Sequence, residues 1–307
     1  MVSTRNRKLR ALILGTPDPF SMGFASGWAL AGHEIAAIWF PSSTRNTDSF
    51  VRDKQLAGNA PGVSMHGIAA KLGVEMRPIA KFLTWQDEAA RQAQILRPDI
   101  VLSLMFTDHI PGQILDAFPG QVFNVHPSLL PAYRGRNVIL NMLWDQAADR
   151  HGGLTVHLVN SSFDRGDILA QLPQSFDREL PVSHFLMGMV KSGSPFVAKT
   201  VAEYLGGKIT PATQRDLVDH TESRITPAAA TLSPDMNLAQ GKWLCRVIPQ
   251  LTDLRLEGVA RNLSVAKFVA ELGKTTGEPP ALSGNSLDYD FADGRARLQL
   301  KPVRIQD

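Results

Sequence analysis

The sequence predicts an α/β protein with a doubly wound, mostly parallel, Rossmann-like sheet and a smaller β-rich C-terminal domain. The first observation is length, since 307 residues exceed the usual size of one domain. The second is that short apolar runs alternate with helical segments through roughly the first two hundred residues, which is typical of parallel sheets. The third is a change after Thr210, where Pro, Thr and Ala become frequent and short turn-bounded runs follow.

The elements of the first part follow one another with short connections. We predict strands at 9–14, 34–40, 74–77, 99–104 and 121–125 with a further alternating strand from 153, and helices at about 18–30, 63–72, 85–96 and 181–205. The stretch 41–62 is dominated by Ser, Thr, Asn, Asp, Gly and Pro, so we predict a long surface loop there. In sheets of this kind, ligands bind beyond the carboxyl ends of the strands.

Domain boundaries are predicted from the changes in composition. We predict that residues 1–207 form the larger α/β domain, residues 208–234 a linker, and residues 235–307 the small β-rich domain. From 207 to 307 there are 13 Lys and Arg against 12 Asp and Glu, so the C-terminal part is almost neutral.

Composition excludes several classes of protein. Hydrophobic residues make up 44% and charged residues 20%, ordinary values for a soluble protein, and a net charge of +3 permits a nucleic-acid partner without requiring one. The single cysteine, Cys245, allows neither an internal disulfide nor a thiolate metal cluster, and fits a reducing compartment. No stretch approaches the ~20 apolar residues of a membrane span, and the apolar run at 11–14 is too short for a signal peptide. We therefore expect a cytoplasmic protein with no membrane and no obligate protein partner.

The residues that carry chemistry lie around the strand predicted at 121–125. Asn124 and His126 are two apart, so both side chains point to one face, and Pro127 ends the strand there. An amide beside an imidazole can stabilise the negative charge that a carbonyl oxygen gains under nucleophilic attack. Asp164 and Asp167 follow in a loop after the next strand, and a carboxylate there could orient His126 and relay a proton.

A plainer interpretation stands beside this one. Taken alone, an Asn-x-His pair is usually plain hydrogen bonding, and an Asp-x-x-Asp loop is usually a turn. No HExxH, Gly-x-Gly-x-x-Gly or Gly-x-Ser-x-Gly motif is present, which disfavours a zinc hydrolase, a nicotinamide site and a serine hydrolase. We predict no metal.

A longer motif resembles a known family. The run 123–131, Phe-Asn-Val-His-Pro-Ser-Leu-Leu-Pro, followed by Tyr-Arg-Gly at 133–135, is similar to the signature of the folate-dependent formyltransferases. The turn 14–18, Leu-Gly-Thr-Pro-Asp, and the loop 163–169, Phe-Asp-Arg-Gly-Asp-Ile-Leu, resemble segments of the methionyl-tRNA formyltransferases. The resemblance covers about 9–207 and is weaker beyond 210.

The resemblance implies the reaction and the residues that perform it. A formyl group passes from 10-formyltetrahydrofolate to a primary amine, with Asn124, His126 and Asp164 catalytic and Asp167 a structural partner in the same loop. By position, two stretches would line the folate pocket: Leu104, Met105, Phe106, Thr107, Asp108 and His109, and Asn160, Ser161, Ser162 and Phe163. His157 either lies behind Asp164 or is a buried, satisfied histidine.

The acceptor remains open at this point, with methionyl-tRNA favoured. Two departures from the tRNA enzymes favour a nucleotide-linked amino sugar instead: 41–62 has only three basic residues against two acidic ones, and the C-terminal part is neutral. Arg134 and Arg136 could supply cationic contacts to such a nucleotide. A formyltetrahydrofolate hydrolase or a folate-binding relative is a further alternative.

Overall fold

The computed structural model describes residues 7–41, 44–59, 64–79, 85–215, 224–260 and 262–302. They fall into two compact units. Unit 1 comprises Met1–Arg136, His151–Asp177 and Ser183–Glu222, and unit 2 comprises Asn137–Arg150, Arg178–Val182 and Ser223–Asp307. The chain thus leaves and re-enters each unit, and the sequence-based boundaries at 207 and 234 stay a prediction.

Unit 1 is built on a seven-stranded sheet. Its strands are β1 (Arg10–Gly15), β2 (Glu34–Pro41), β3 (Glu75–Ile79), β4 (Ile100–Leu104), β5 (Val122–His126), β6 (Gly153–Leu158) and β7 (Ile168–Pro173). The helices assigned to it are α1 (Pro19–Leu30), α2 (Thr44–Asn59), α3 (Met65–Leu72), α4 (Trp85–Leu96), α5 (Gly112–Ala117) and α8 (Val182–Leu205). The first residue of α8, Val182, belongs to unit 2.

The strands lie in the order β3-β2-β1-β4-β5-β6-β7. The chain adds β2 and β3 on one side of β1 and then β4 to β7 on the other side, as in a doubly wound sheet. Strands β1 to β5 are parallel, and β6 pairs antiparallel with both β5 and β7. The predicted fold class is confirmed. Strand β1 is buried almost throughout because helices cover both faces of the parallel region.

The prediction of a long surface loop at 41–62 was wrong, because helix α2 occupies Thr44–Asn59. Its turn-prone composition is outweighed by tertiary hydrogen bonds. The carboxylate of Asp53, 9% exposed, accepts from the backbone N–H groups of Met65 and His66 at 2.9 Å each, and the Ser64 hydroxyl donates to the Asp53 carbonyl. Asp53 thereby satisfies two free N–H groups at the start of α3, and these hydrogen bonds hold α2 in place.

Unit 2 contains the β-rich part of the chain. Its helices are α6 (Val138–Trp144), α7 (Ala148–His151) and α9 (Leu238–Val247), and the last residue of α7, His151, belongs to unit 1. Its strands are β8 (Thr231–Leu232), β9 (Arg255–Leu256), β10 (Val265–Gly273), β11 (Ala281–Ser283), β12 (Ser286–Phe291) and β13 (Gly294–Leu300). The four-stranded sheet is antiparallel, in the order β10-β13-β12-β11. Cys245 on α9 is buried, and burial raises the pKa of its thiol to about 12, so it packs as a small apolar side chain.

Within the part of the chain that the structure describes, none of the helices combines the length and apolar character that a membrane crossing needs.

Candidate active site

The candidate site lies where β5 ends. Asn124 pairs in parallel register with Ser103 of β4 and in antiparallel register with His157 of β6. The antiparallel direction of β6 therefore puts His157 directly beside Asn124. The amide nitrogen of Asn124 lies 3.0 Å from Nε2 of His157 and 3.2 Å from Oδ1 of Asp164. The sheet thus brings the three side chains together at one point.

His126 lies two residues further along the same face. Its Nε2 is 2.8 Å from the carbonyl oxygen of Tyr133, and its Nδ1 is 3.5 Å from Oδ1 of Asp164. A carbonyl oxygen can only accept, so Nε2 carries a hydrogen and donates it to Tyr133. The other ring nitrogen faces the carboxylate. The predicted grouping of Asn124, His126 and Asp164 is present in the structure.

The hydrogen bonds also fix the orientation of the Asn124 amide. Nδ1 of His157 lies 2.7 Å from the carbonyl oxygen of Leu158, which can only accept, so Nδ1 carries a hydrogen. The ionised carboxylate of Asp164 also only accepts, so Asn124 presents its NH₂ group to Asp164, and the same nitrogen faces His157. His157, at 2% exposure, lies against the Asn124 amide, and its Nε2 is also 3.6 Å from Oδ1 of Asp164. The structure fits both descriptions given from the sequence, since His157 lies beside Asp164 and is a buried histidine with contacts at both ring nitrogens.

The charges of His126 and Asp164 are coupled. Burial is the largest effect on the pKa of His126 and lowers it, but the charge and hydrogen bonding of Asp164 outweigh burial and leave the pKa above 6.5. For Asp164 the effect of burial has the opposite sign and raises the pKa. The charge and hydrogen bond of His126 and the contact with His157 nevertheless hold the pKa of Asp164 far below 3.8. The two side chains form a buried imidazolium–carboxylate pair.

The loop that carries Asp164 has an unusual backbone. Asp164 has φ 52°, in the left-handed region that residues other than glycine seldom adopt. Its Oδ2 accepts from the backbone N–H of Gly135 at 2.8 Å. Gly166 lies so close to β6 that an added Cβ would be 1.7 Å from the Leu158 carbonyl oxygen, so only glycine fits. The backbone carbonyl of Asp167, the predicted structural partner, accepts from Leu158 at 2.9 Å and closes the loop.

The two stretches predicted to line the folate pocket lie next to each other. Nε2 of His109 is 3.1 Å from the Ser161 carbonyl oxygen, and the rings of His109 and Phe163 meet edge to face with centroids 5.3 Å apart. Phe163 is 49% exposed and Met105 38% exposed, large apolar side chains left in contact with solvent. An exposed apolar surface suits a flat heterocycle such as a pterin. Their role in binding remains a prediction.

Two further residues belong to the site: Gln214, which had no recognised signal in the sequence, and Arg134, which the sequence suggested only as a nucleotide contact. Gln214, in the predicted linker, donates to the carbonyl oxygens of Asp164 and Gly166 at 2.9 and 2.7 Å. Arg134 donates to Oε1 of Gln214 and is 5% exposed.

The two arginines suggested as nucleotide contacts both make internal hydrogen bonds. Arg134 is buried in this internal hydrogen bond, and Arg136 donates to the Thr107 carbonyl at 2.6 Å. Arg134 is buried and Arg136 is exposed, and a contact of either with a nucleotide stays a prediction. The sequence motif places both arginines, but their direction follows from tertiary contacts.

The arrangement has the parts that acyl transfer needs. An imidazole with a raised pKa and an amide lie at the end of a strand, beside a carboxylate with a lowered pKa that is ionised at neutral pH. Among the described residues, no group of three or more His, Cys, Asp or Glu side chains is arranged to hold a metal ion.

Comparison with known proteins agrees with this geometry. Residues 52–179 match the family model described as formyl transferase. A methionyl-tRNA formyltransferase of Rhodopseudomonas palustris (strain BisB18) is 26% identical over 317 aligned residues, covering 97% of this chain and 95% of that protein. The fold and the site define the class of formyl-transferring enzymes. The chain is thus similar to the formyltransferases, and the resemblance seen in the sequence is confirmed.

Two solved structures share the fold at low identity. WlaRD, a sugar 3N-formyl transferase, has a TM-score of 0.63 and 14% identity, with 97% of this chain and 99% of that chain covered. The N-formyltransferase from Helicobacter canadensis has a TM-score of 0.63 and 14% identity, with 96% of this chain and 100% of that chain covered.

Proposed function

We propose that the protein transfers the formyl group of 10-formyltetrahydrofolate to the amine of methionyl-tRNA. The observation that carries the transfer is the buried contact of His126 with Asp164, beside Asn124. The donor supplies a formyl carbon bound to nitrogen. Its fit is supported by the exposed apolar surface of Met105 and Phe163, and by the WlaRD structure, determined in the presence of 5-N-formyl-tetrahydrofolate.

Asp164 is the group that takes the proton of the attacking amine. The nitrogen must attack as the uncharged amine, and it acquires a positive charge when its lone pair bonds to the formyl carbon. The Asp164 carboxylate is ionised and 11% exposed in its side chain, so it can accept that proton within a site that excludes most water. His126 keeps this carboxylate charged until the proton arrives.

His126 and Asn124 stabilise the negative charge on the formyl oxygen. The raised pKa of His126 favours the protonated ring, which has a charged donor at Nδ1. Both hydrogens of the Asn124 amide are directed to His157 and Asp164 in the structure. Once Asp164 is protonated it is a poorer acceptor, so one hydrogen of Asn124 is released for the oxyanion as the charge develops. The proton then returns to the nitrogen of the leaving tetrahydrofolate.

Methionyl-tRNA is supported as the acceptor by the match to the Rhodopseudomonas enzyme over nearly the whole of both chains. A second candidate acceptor is a nucleotide-linked amino sugar. Residues 207–307 contain 13 basic and 12 acidic residues, and this neutral balance favours the sugar because phosphate contacts, which need basic residues, dominate binding to tRNA. The Helicobacter structure was determined with folinic acid and dTDP-3-aminofucose.

The decisive experiment is a formylation assay on aminoacylated initiator tRNA across a salt series, with 10-formyltetrahydrofolate as donor and the Asp164→Asn variant as the blank. A tRNA enzyme should form formyl-methionyl-tRNA at low salt and lose activity steeply as salt rises, because bound counterions are released from the phosphates. Turnover of a 4-amino-4-deoxy nucleotide sugar, with no formyl-methionyl-tRNA at any salt concentration, would replace methionyl-tRNA by the sugar. Rapid formate release with no amine present would indicate a hydrolase.

A further inference from the structure

Gln214 is joined by side-chain hydrogen bonds to the backbone of the loop that carries Asp164. The segment around Ala212 continues the sheet beyond β7, since Ala212 and Ile168 exchange two backbone hydrogen bonds of 2.8 Å in an antiparallel bridge. In that register the residue two positions after Ala212 lies opposite the residue two positions before Ile168, so Gln214 faces Gly166. Gly166 has no side chain, and the amide of Gln214 reaches the backbone there.

The amide of Gln214 is oriented by a buried arginine. Its Nε2 donates to the carbonyl oxygens of Asp164 and Gly166, and its Oε1 accepts from Nε and Nη2 of Arg134 at 3.1 and 2.9 Å. An arginine only donates, so it fixes the amide with its oxygen towards Arg134 and its NH₂ group towards the loop. The residue after Arg134, Gly135, donates its N–H to the Asp164 carboxylate. The segment 134–135 thus holds the loop at two points.

We propose that Gln214, oriented by Arg134, is a positioning residue for formyl transfer that keeps the Asp164 carboxylate within reach of His126. The two carbonyls it binds are that of Asp164 itself and that of Gly166, two residues on, and the φ of 52° at Asp164 is unfavourable unless the surroundings hold it. Gln214 itself touches neither His126 nor the carboxylate in the described contacts. This inference rests on the proposed roles of Asp164 and His126.

The test replaces Gln214 by methionine, which has a similar length but cannot hydrogen-bond as an amide. We expect kcat to fall about 10- to 100-fold, because a shift of about 1 Å in a catalytic group has that effect. The KM for the amine acceptor should change less than kcat, since the acceptor binds without touching Gln214. Gln94→Met, on the exposed surface of α4, is the matched control and should leave kcat unchanged.

A second measurement does not depend on activity. The NMR signal of His126 is identified by its loss in the His126→Gln variant. The groups that face the His126 ring are Asp164, His157 and the Tyr133 carbonyl. Gln214→Met should lower the pKa of His126 in an NMR titration, because the Asp164 carboxylate that raises this pKa moves away. Arg134→Lys, which cannot donate through two forked nitrogens, should lower it in the same direction and serves if Gln214→Met does not fold.

The outcomes separate this inference from the proposed function. A folded Gln214→Met protein with the wild-type kcat and the wild-type titration of His126 would overturn the role of Gln214. If the wild-type protein transfers no formyl group, yet the titration of His126 still shifts in Gln214→Met, the proposed function fails while the positioning role stands.

Discussion

Nδ1 of His126 lies 3.5 Å from Oδ1 of Asp164, with the two side chains 4% and 11% exposed. Two different parts of the fold supply them: His126 ends a strand in the sheet, and Asp164 lies in the loop between β6 and β7. Each keeps the other charged where burial alone would neutralise both. The contact therefore links the chemistry of the site to its stability, and the first three predictions follow from it.

Replacing Asp164 by asparagine should lower kcat by at least about 100-fold, the usual effect of losing a positioned acid–base group. The side chain keeps its shape but can no longer accept the proton of the amine. Steady-state formylation kinetics measure the loss. Asp116→Asn, an exposed carboxylate on α5, makes the same chemical change away from the site and should leave kcat at the wild-type value. Near-normal turnover in Asp164→Asn would remove Asp164 from the mechanism.

Replacing His126 by alanine should also lower kcat by at least about 100-fold, because the charged donor to the formyl oxygen is lost. The exposed His184 of α8 offers the matched control, His184→Ala, which should retain full activity. Both variants are assayed with saturating donor and acceptor, so that a change in binding does not pass for a change in chemistry. A His126→Ala protein within a few-fold of wild type would contradict the proposed role.

Stability should depend on pH through the same pair. The raised pKa of His126 stabilises the fold below 6.5, and this contribution disappears as pH rises through the raised value. The lowered pKa of Asp164 stabilises the fold above 3.8, and that contribution disappears as pH falls towards the lowered value. Both contributions are present between 3.8 and 6.5.

Urea unfolding of the wild type and of Asp164→Asn across pH measures this effect. We expect the difference in free energy of unfolding to be largest within that window and to narrow on the alkaline side, once His126 loses its proton. A difference that stays constant across pH would show that the two groups do not titrate as a pair.

Much of the fold was predictable because the parallel strands are buried on both faces and appear as apolar runs. The helix predicted at 85–96 has the bounds of α4, and the strand at 9–14 differs from β1 by one residue at each end. Helix α2 was not predictable in this way, since its local composition favours turns and the Asp53 carboxylate that holds it bonds to residues of another helix. Long-range hydrogen bonds of this kind leave no periodic pattern.

The site was predictable where the motif is local and unpredictable where the tertiary fold decides. Asn124 and His126 are two apart on one strand, so their shared face follows from strand geometry. The position of His157 beside Asn124 depends on the register of β6, and the reach of Gln214 depends on a bridge between Ala212 and Ile168. Neither register can be derived from the residues alone.

The tight fit of Gly166 gives a prediction about both stability and activity. In Gly166→Ala the new Cβ would lie 1.7 Å from the Leu158 carbonyl oxygen, which belongs to a strand of the sheet and cannot move without breaking its pairing. The loop itself must then shift, at a cost of about 1–3 kcal/mol in the free energy of unfolding, the usual range for overpacking.

Because Asp164 lies in the loop that shifts, kcat should fall as well, by at least about 10-fold on the scale of small displacements of a catalytic group. Gly112→Ala is the matched control: nothing lies within 4 Å of its added Cβ, and it begins a helix, where alanine is favourable. Chemical unfolding and formylation kinetics on the two variants check both effects. If Gly166→Ala unfolds like the wild type and turns over at the same rate, the loop is free to move without affecting catalysis, and the close packing of Gly166 against β6 has no part in holding Asp164.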